Sequence, residues 1–358
     1  VTATTARPGG AVAHVVGKRR AAVIIGAAIA VTAAILLMAT LVGASGLSPG
    51  AVLAELADAL PLVHVDSGLS AQQHAILWQI RLPRVVLGAL VGATLAVAGA
   101  AYQGVFRNPL ADPYLLGVSS GAGLGATVMI IAGASGAGMG SLGVPVAAFA
   151  GGIVAVAATY LLGRSVGGGR GEVVIILAGV AVAAFANAAQ TFVQQRYQDT
   201  LQSVYSWLLG RLSTDGWSDV TLVLPYVAVT IVVILLFRRT LDVMSVGDVE
   251  AASLGIRPAR VRLLLVAVAT LGTAAVVSVS GLIGFVGIVV PHAVRLVAGP
   301  GHRLLLPLSV LAGAAFLVLA DVVARTVLSP AELPIGVVTA AIGAPFFLVV
   351  LRRGRGMQ

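Results

Sequence analysis

The 358-residue sequence contains no cysteine, one lysine (Lys18) and only 10% charged residues. Each shortage excludes something. Without cysteine there is no disulfide framework and no thiolate metal site. Lys18 is the only lysine and its neighbours do not fit G-x-x-x-x-G-K-[ST], so the chain is not its own P-loop ATPase. A soluble domain carries roughly 25% charged residues, so the low charge excludes an ordinary soluble fold. The five histidines, His14, His64, His74, His292 and His302, are scattered, and no pair has metal-ligand spacing. No bound metal or other cofactor is expected on this chain.

What is present is apolar. Hydrophobic residues make up 59% of the sequence, and the mean hydropathy is +1.04. Charge-free blocks near the length of a membrane-spanning helix, about 20 residues, recur along the chain. The blocks are continuous, whereas membrane strands would read as short alternating segments. The fold class is therefore an all-α polytopic membrane protein. The 44 glycines are spread through the apolar blocks, as close helix packing in lipid requires. Gly121-Ala122-Gly123-Leu124-Gly125 looks like a phosphate loop but lies inside an apolar block, where a packing surface is the better reading.

The chain opens with a polar, basic stretch over residues 1–20, ending Lys18-Arg19-Arg20. Apolar blocks follow at Ala21–Ala44, Val85–Phe106, Tyr114–Ala134, Val144–Leu162, Val173–Val193 and Val220–Phe237. Ser45 to Arg84 is mixed and predicts a short amphipathic helix. From Leu263 to Val294 no charged residue occurs for 32 positions, and two last blocks cover Leu304–Ala320 and Ile335–Leu351. A single 32-residue helix would be about 48 Å long, too long for a roughly 30 Å hydrocarbon core. Splitting it at Ser278–Gly284 gives ten spans with both termini inside. The inside segments then hold 17 of the 22 basic residues, as the positive-inside rule favours. The net charge of +9 thus belongs to span flanks and not to a nucleic-acid surface. The expected organisation is a tail (1–20), one transmembrane domain (21–351) and a second tail (352–358).

Thr240 to Arg262 is the longest polar interruption in the second half. Val246, Val249, Ala252 and Leu254 have helical spacing on one apolar face, and Gly255 followed by Pro258 marks a stop. Two readings stand: a docking helix pair over about 240–258 presented to a partner, or a solvated linker. Five arginines fall outside: Arg81, Arg84, Arg196, Arg211 and Arg325. Arg81, Arg84 and Arg325 either receive carboxylates of a soluble partner or snorkel and pair locally with Asp321. No acid lies at the middle of a predicted span, where proton-coupled carriers bury one. Asn187 and Gln190 there are neutral, facing either a pathway or a packed interface. Energy for pumping then comes from a separate subunit.

Three motif groups carry a resemblance. The first is Arg81-Leu82-Pro83-Arg84 with GAAYQGVFRNPLADPYLLGVSSG over Gly99–Gly121. The second is GDVEAASLG over Gly247–Gly255. The third joins Gly284-Phe285-Val286-Gly287 and Val290-Pro291-His292 to ELPIGVVTA over Glu332–Ala340 and Gly343-Ala344-Pro345. From about Arg81 onwards the chain resembles FecCD-type permeases, membrane subunits of ABC importers for ferric siderophores, haem and cobalamin. The resemblance implies a type II importer fold like that of cobalamin permeases, in a bacterial plasma membrane. It implies a second permease copy, most often identical, and two ATPase subunits that carry the ATP and Mg. It implies coupling residues Gly247, Asp248, Glu250, Ala251, Leu254 and Gly255. An extracytoplasmic binding protein would dock on Arg81, Arg84 and Arg325. The inner gate would use Asn108, Pro109 and Leu110, together with the 167–173 loop that includes Glu172 and Val173. The implied cargo is a bulky iron chelate, with cobalamin as the alternative.

Overall fold

Lys18–Leu41 forms α1, the start of a bundle in which α-helices, with short π and 3-10 turns, are the regular elements among the described residues. The computed structural model describes residues 18–43, 46–61, 64–135, 140, 142–166, 171–212 and 216–354. The mixed segment after α1 contains α2 (Pro49–Asp58), where the Ser48 hydroxyl accepts from the Ala51 amide and Pro49 sits in the first turn. Ser70 and Gln73 then form a capping box that starts α3 (Ala71–Ala75).

From α3 the chain continues through a π-helical turn, Ile76–Arg81, into α4 (Leu82–Val105). Sequence spacing placed this span at Val85–Phe106; the helix is instead continuous over 35 residues from Ala71. Pro83 explains the π turn. Its missing N–H and its ring displace the carbonyls one turn back, and the widened turn absorbs the mismatch. The Trp78 carbonyl there is taken up by the Trp217 indole N–H at 2.8 Å.

α4 is the axis of the bundle, and nearly every residue from Val91 to Val105 is buried. Around it lie α5 (Val118–Ala134), α6 (Gly143–Val166), α7 (Gly171–Arg196), the short α8 (Leu201–Leu208) and α9 (Trp217–Leu236). Next come α10 (Arg238–Met244) and α11 (Asp248–Ser253), then α12 (Pro258–Ser280), α13 (Val286–Ala298), α14 (His302–Thr326) and α15 (Ile335–Gly354). α4 crosses α14 where Gly92 faces Gly313. A Cβ on either glycine would collide with the other's backbone, so only glycine permits this approach.

Among the described residues seven helices are long and apolar enough to span a bilayer, and α5, α13 and α15 are shorter apolar helices. These are the ten helices read from the sequence. The 32-residue run does divide in two: α12 ends at Ser280, and Gly281 (φ 69°) and Phe285 (φ 70°) turn the chain into α13. The division is unequal. α13 has 13 residues, about 20 Å of helix, less than a bilayer core.

Candidate functional site

Two clusters of chemistry sit at opposite ends of α14. The first is the α10–α11 pair. Leu241, Met244 and Ala251 are buried and fasten the pair to the bundle. Asp242 on α10 accepts from the His302 amide at 2.7 Å and lies 3.0 Å from His302 Nδ1, capping the start of α14. Burial pushes the Asp242 carboxyl up, but the hydrogen bonds from His302 and the nearby Arg303 outweigh it. The net result holds the group below the usual aspartate range.

α11 is stopped by a Schellman motif. The Gly255 amide donates to Ala252 O at 2.9 Å and the Ile256 amide to Ala251 O at 3.1 Å, with Gly255 at φ 81°. Gly247 leads in; a side chain there would collide with the Glu250 carboxylate, which folds back over the first turn. Asp248 is shared by Arg262 at 3.2 Å and Arg107 at 3.4 Å. Arg107 belongs to the loop after α4, so the pair touches the Asn108, Pro109 and Leu110 segment. There the Leu110 amide donates to Asn108 Oδ1 at 2.9 Å, and all three residues are exposed.

The apolar face anticipated from spacing points away from the protein. Val246, Val249 and Leu254 are 72%, 79% and 70% exposed, with Ala252 and Glu250 exposed beside them. A six-residue helix anchored by one alanine thus presents an exposed apolar patch at the surface of the chain.

The second cluster lies where α1, α4 and α14 meet. Asp321, 2% exposed, receives Arg84 (Nη2–Oδ1 2.8 Å) and Arg325 (Nε–Oδ2 3.4 Å). Arg84 also forks onto Glu332, with Nη1–Oε1 and Nη2–Oε2 both at 2.9 Å. Arg325 donates to Ala39 O at 2.6 Å and Arg81 to Thr40 O at 3.0 Å, tying the end of α1 to the bundle. The three arginines named from the sequence are thus brought together, but not on one surface. Arg81 and Arg325 are 5% and 6% exposed and point inward. Of the two alternatives read for these arginines, the local one is what this chain displays: Arg81 and Arg325 satisfy α1 carbonyls, and Arg325 pairs with Asp321. Arg84 with Glu332 forms the outer edge of the cluster.

Other sequence-named residues fall apart from these clusters. Gln190 is buried with its Oε1 against Gly123 of α5, the packed alternative, whereas Asn187 is exposed on α7. The 167–170 part of the second gate loop, and the side chains of Glu172 and Val173 in the first turn of α7, lie outside the described residues. Arg107, Asp242, Arg262, His302 and Glu332 join the sites without having been named for them, whereas Asp321 was read from the sequence as a local partner of the arginines. Glu332 was visible inside the ELPIG motif, Arg107 inside the Gly99–Gly121 motif, and Asp242 and Arg262 inside the polar stretch 240–262; His302 gave no local signal.

Comparison with known proteins agrees with this architecture. The cobalamin import system permease protein of Halobacterium salinarum is 45% identical over 285 residues, covering 80% of this chain and 75% of that protein. The hemin transport system permease protein of Yersinia pestis is 41% identical over 282 residues, covering 77% and 83% respectively. A solved inward-facing conformation, described as that of a metal-chelate type ABC transporter, superposes with a TM-score of 0.80 at 29% identity, over 93% of this chain and 99% of that one. The model of the FecCD transport family matches residues 21–353. The chain belongs to that family, as a multi-pass permease subunit of an ABC importer.

Proposed function

We propose that the chain carries a bulky iron chelate, a ferric siderophore or haem, through a pathway formed with a second, identical copy. The motion is alternating access driven by two separate ATPase subunits. In this reading residues 21–351 are one permease domain, and both termini and the α10–α11 pair face the cytoplasm. ATP and Mg belong to the ATPase subunits, and the chain itself holds no cofactor. An extracytoplasmic binding protein delivers the chelate to the opposite end of α14, where Arg84, with 13% of its side chain exposed, is the least buried of the three clustered arginines. The membrane is a bacterial plasma membrane.

One observation carries the proposal: the outward apolar face of Val246, Val249 and Leu254 on a helix pair that is otherwise fastened down. A linker between two spans has no use for it. An ATPase subunit seated there would be linked to the rest of the chain by two routes, Asp248 to Arg107 and the loop after α4, and Asp242 to α14. Glu250→Arg places the opposite charge on the docking face without disturbing a buried group. It is expected to prevent assembly with the ATPase subunit while the permease stays folded. Assembly and transport at wild-type levels in that variant would sink the docking assignment.

A second reading, cobalamin as cargo, is favoured by the 45% identity to a cobalamin permease. Both cargoes are large metal chelates, so the architecture is common to the two.

A further inference from the structure

Three cations, Arg81, Arg84 and Arg325, meet two carboxylates, Asp321 and Glu332, at the end of α14. The carboxylates are not equivalent. The Asp321 side chain is 4% exposed and wedged between Arg84 and Arg325, so it is part of the interior. The Glu332 side chain is 50% exposed and sits on the connection between α14 and α15. Its two oxygens take the two terminal nitrogens of Arg84 at 2.9 Å each. That parallel fork is the geometry with which any carboxylate recognises arginine.

We propose that Glu332 is a built-in competitor: it occupies the fork of Arg84 that a docking partner's carboxylate must use, and docking exchanges one carboxylate for the other. This rests on the reading above that the binding protein docks at Arg84. The exchange needs no new cation and leaves no buried charge unpaired, because Asp321 keeps both its arginines throughout. The displaced Glu332 also has somewhere to go. Arg211, an exposed arginine of the α8–α9 connection, lines the same cleft as Arg84, Asp321 and Glu332. The connection that bears Glu332 is short and held by the Leu333 amide on Ala324 O at 2.8 Å. The side chain can therefore swing without moving α14 or α15.

The consequence is a docking affinity set below what Arg84 alone would give. A partner without a well-placed carboxylate cannot displace Glu332, and a correct partner is released readily because Glu332 re-forms the pair. Selection by an internal rival is specificity through a competing state.

The test uses full-length permease in nanodiscs with its ATPase subunits, titrated with the purified substrate-binding protein of the same transporter. Glu332→Gln keeps shape and removes charge; the side chain is half in water, so the fold is not at risk. Its Kd is expected to fall about fivefold, equivalent to about 1 kcal/mol, through faster association at low salt and slower release. Glu332→Asp, too short to keep the fork, is expected to fall between the two. Arg84→Gln is the reference variant and is expected to lose binding. Unchanged or weaker binding by Glu332→Gln, with binding lost in Arg84→Gln, overturns the competitor and leaves Arg84 as the docking cation. Normal binding by Arg84→Gln overturns the docking reading itself.

Discussion

Val249→Asp is the sharpest perturbation of the docking face. Val249 leaves 79% of its surface in water, and fully burying a valine is worth about 1.5–3 kcal/mol. About four-fifths of that remains to be gained at an interface, roughly 1–2 kcal/mol. Aspartate forfeits this gain and takes a carboxylate into an apolar contact, adding a desolvation cost of several kcal/mol when unpaired. The sum, about 3–5 kcal/mol, weakens assembly with the ATPase subunit about 10²- to 10³-fold or more. Val249→Ala should cost about 1 kcal/mol, near fivefold. Neither change touches the core, because α11 is anchored through Ala251 on its other face. Affinity is read by titrating labelled ATPase subunit against permease in nanodiscs, and folding by thermal unfolding of the permease alone. A Val249→Asp permease that binds the ATPase subunit within a factor of two of wild type would show that this face is not where the subunit docks. So would one that unfolds, since the side chain would then be holding the chain together.

Asp321→Asn should strip the shared counter-charge from Arg84 and Arg325, both largely buried. Breaking such a group by removing one member costs about 3–5 kcal/mol, read as a large drop in the thermal midpoint of the purified permease; an unchanged midpoint would show that the cluster is not structural. Asp242→Asn should weaken the cap on α14 by about 1 kcal/mol, the carboxylate being partly screened by solvent. Its folded-state pKa lies below the ordinary aspartate value, so the charged form stabilises the fold above that value. This contribution is lost as the pH falls through the lowered one. The gap in midpoint between wild type and Asp242→Asn should therefore narrow in acid, and a widening gap would reverse the assignment.

Much of the fold was legible because lipid imposes simple rules. Apolar length and the placement of 17 of 22 basic residues were enough to divide the 32-residue run. The stop at Gly255 was legible because a left-handed position after a helix selects glycine. The break in that run was legible as well, since Gly281 falls inside the Ser278–Gly284 segment chosen for it. That α13 is only 13 residues long was not. Neither was α8, a helix within a polar connection whose Val204 and Trp207 are buried. The arginines show the limit most clearly. Position at a span mouth does not reveal which way a side chain faces, and Arg84 meets Asp321 across 237 positions of sequence. For Arg81 and Arg325 the sequence left partner docking and local pairing both open until their α1 carbonyl partners were in view.

A complex built on this permease is proposed to import a metal chelate. The most direct test is ATP hydrolysis by the reconstituted complex with its binding protein, loaded in turn with ferric siderophore, haem and cobalamin. Stimulation by an iron chelate is the predicted result. Stimulation by cobalamin alone would replace the cargo and keep the transporter. Hydrolysis indifferent to all three in a correctly assembled complex would contradict the account.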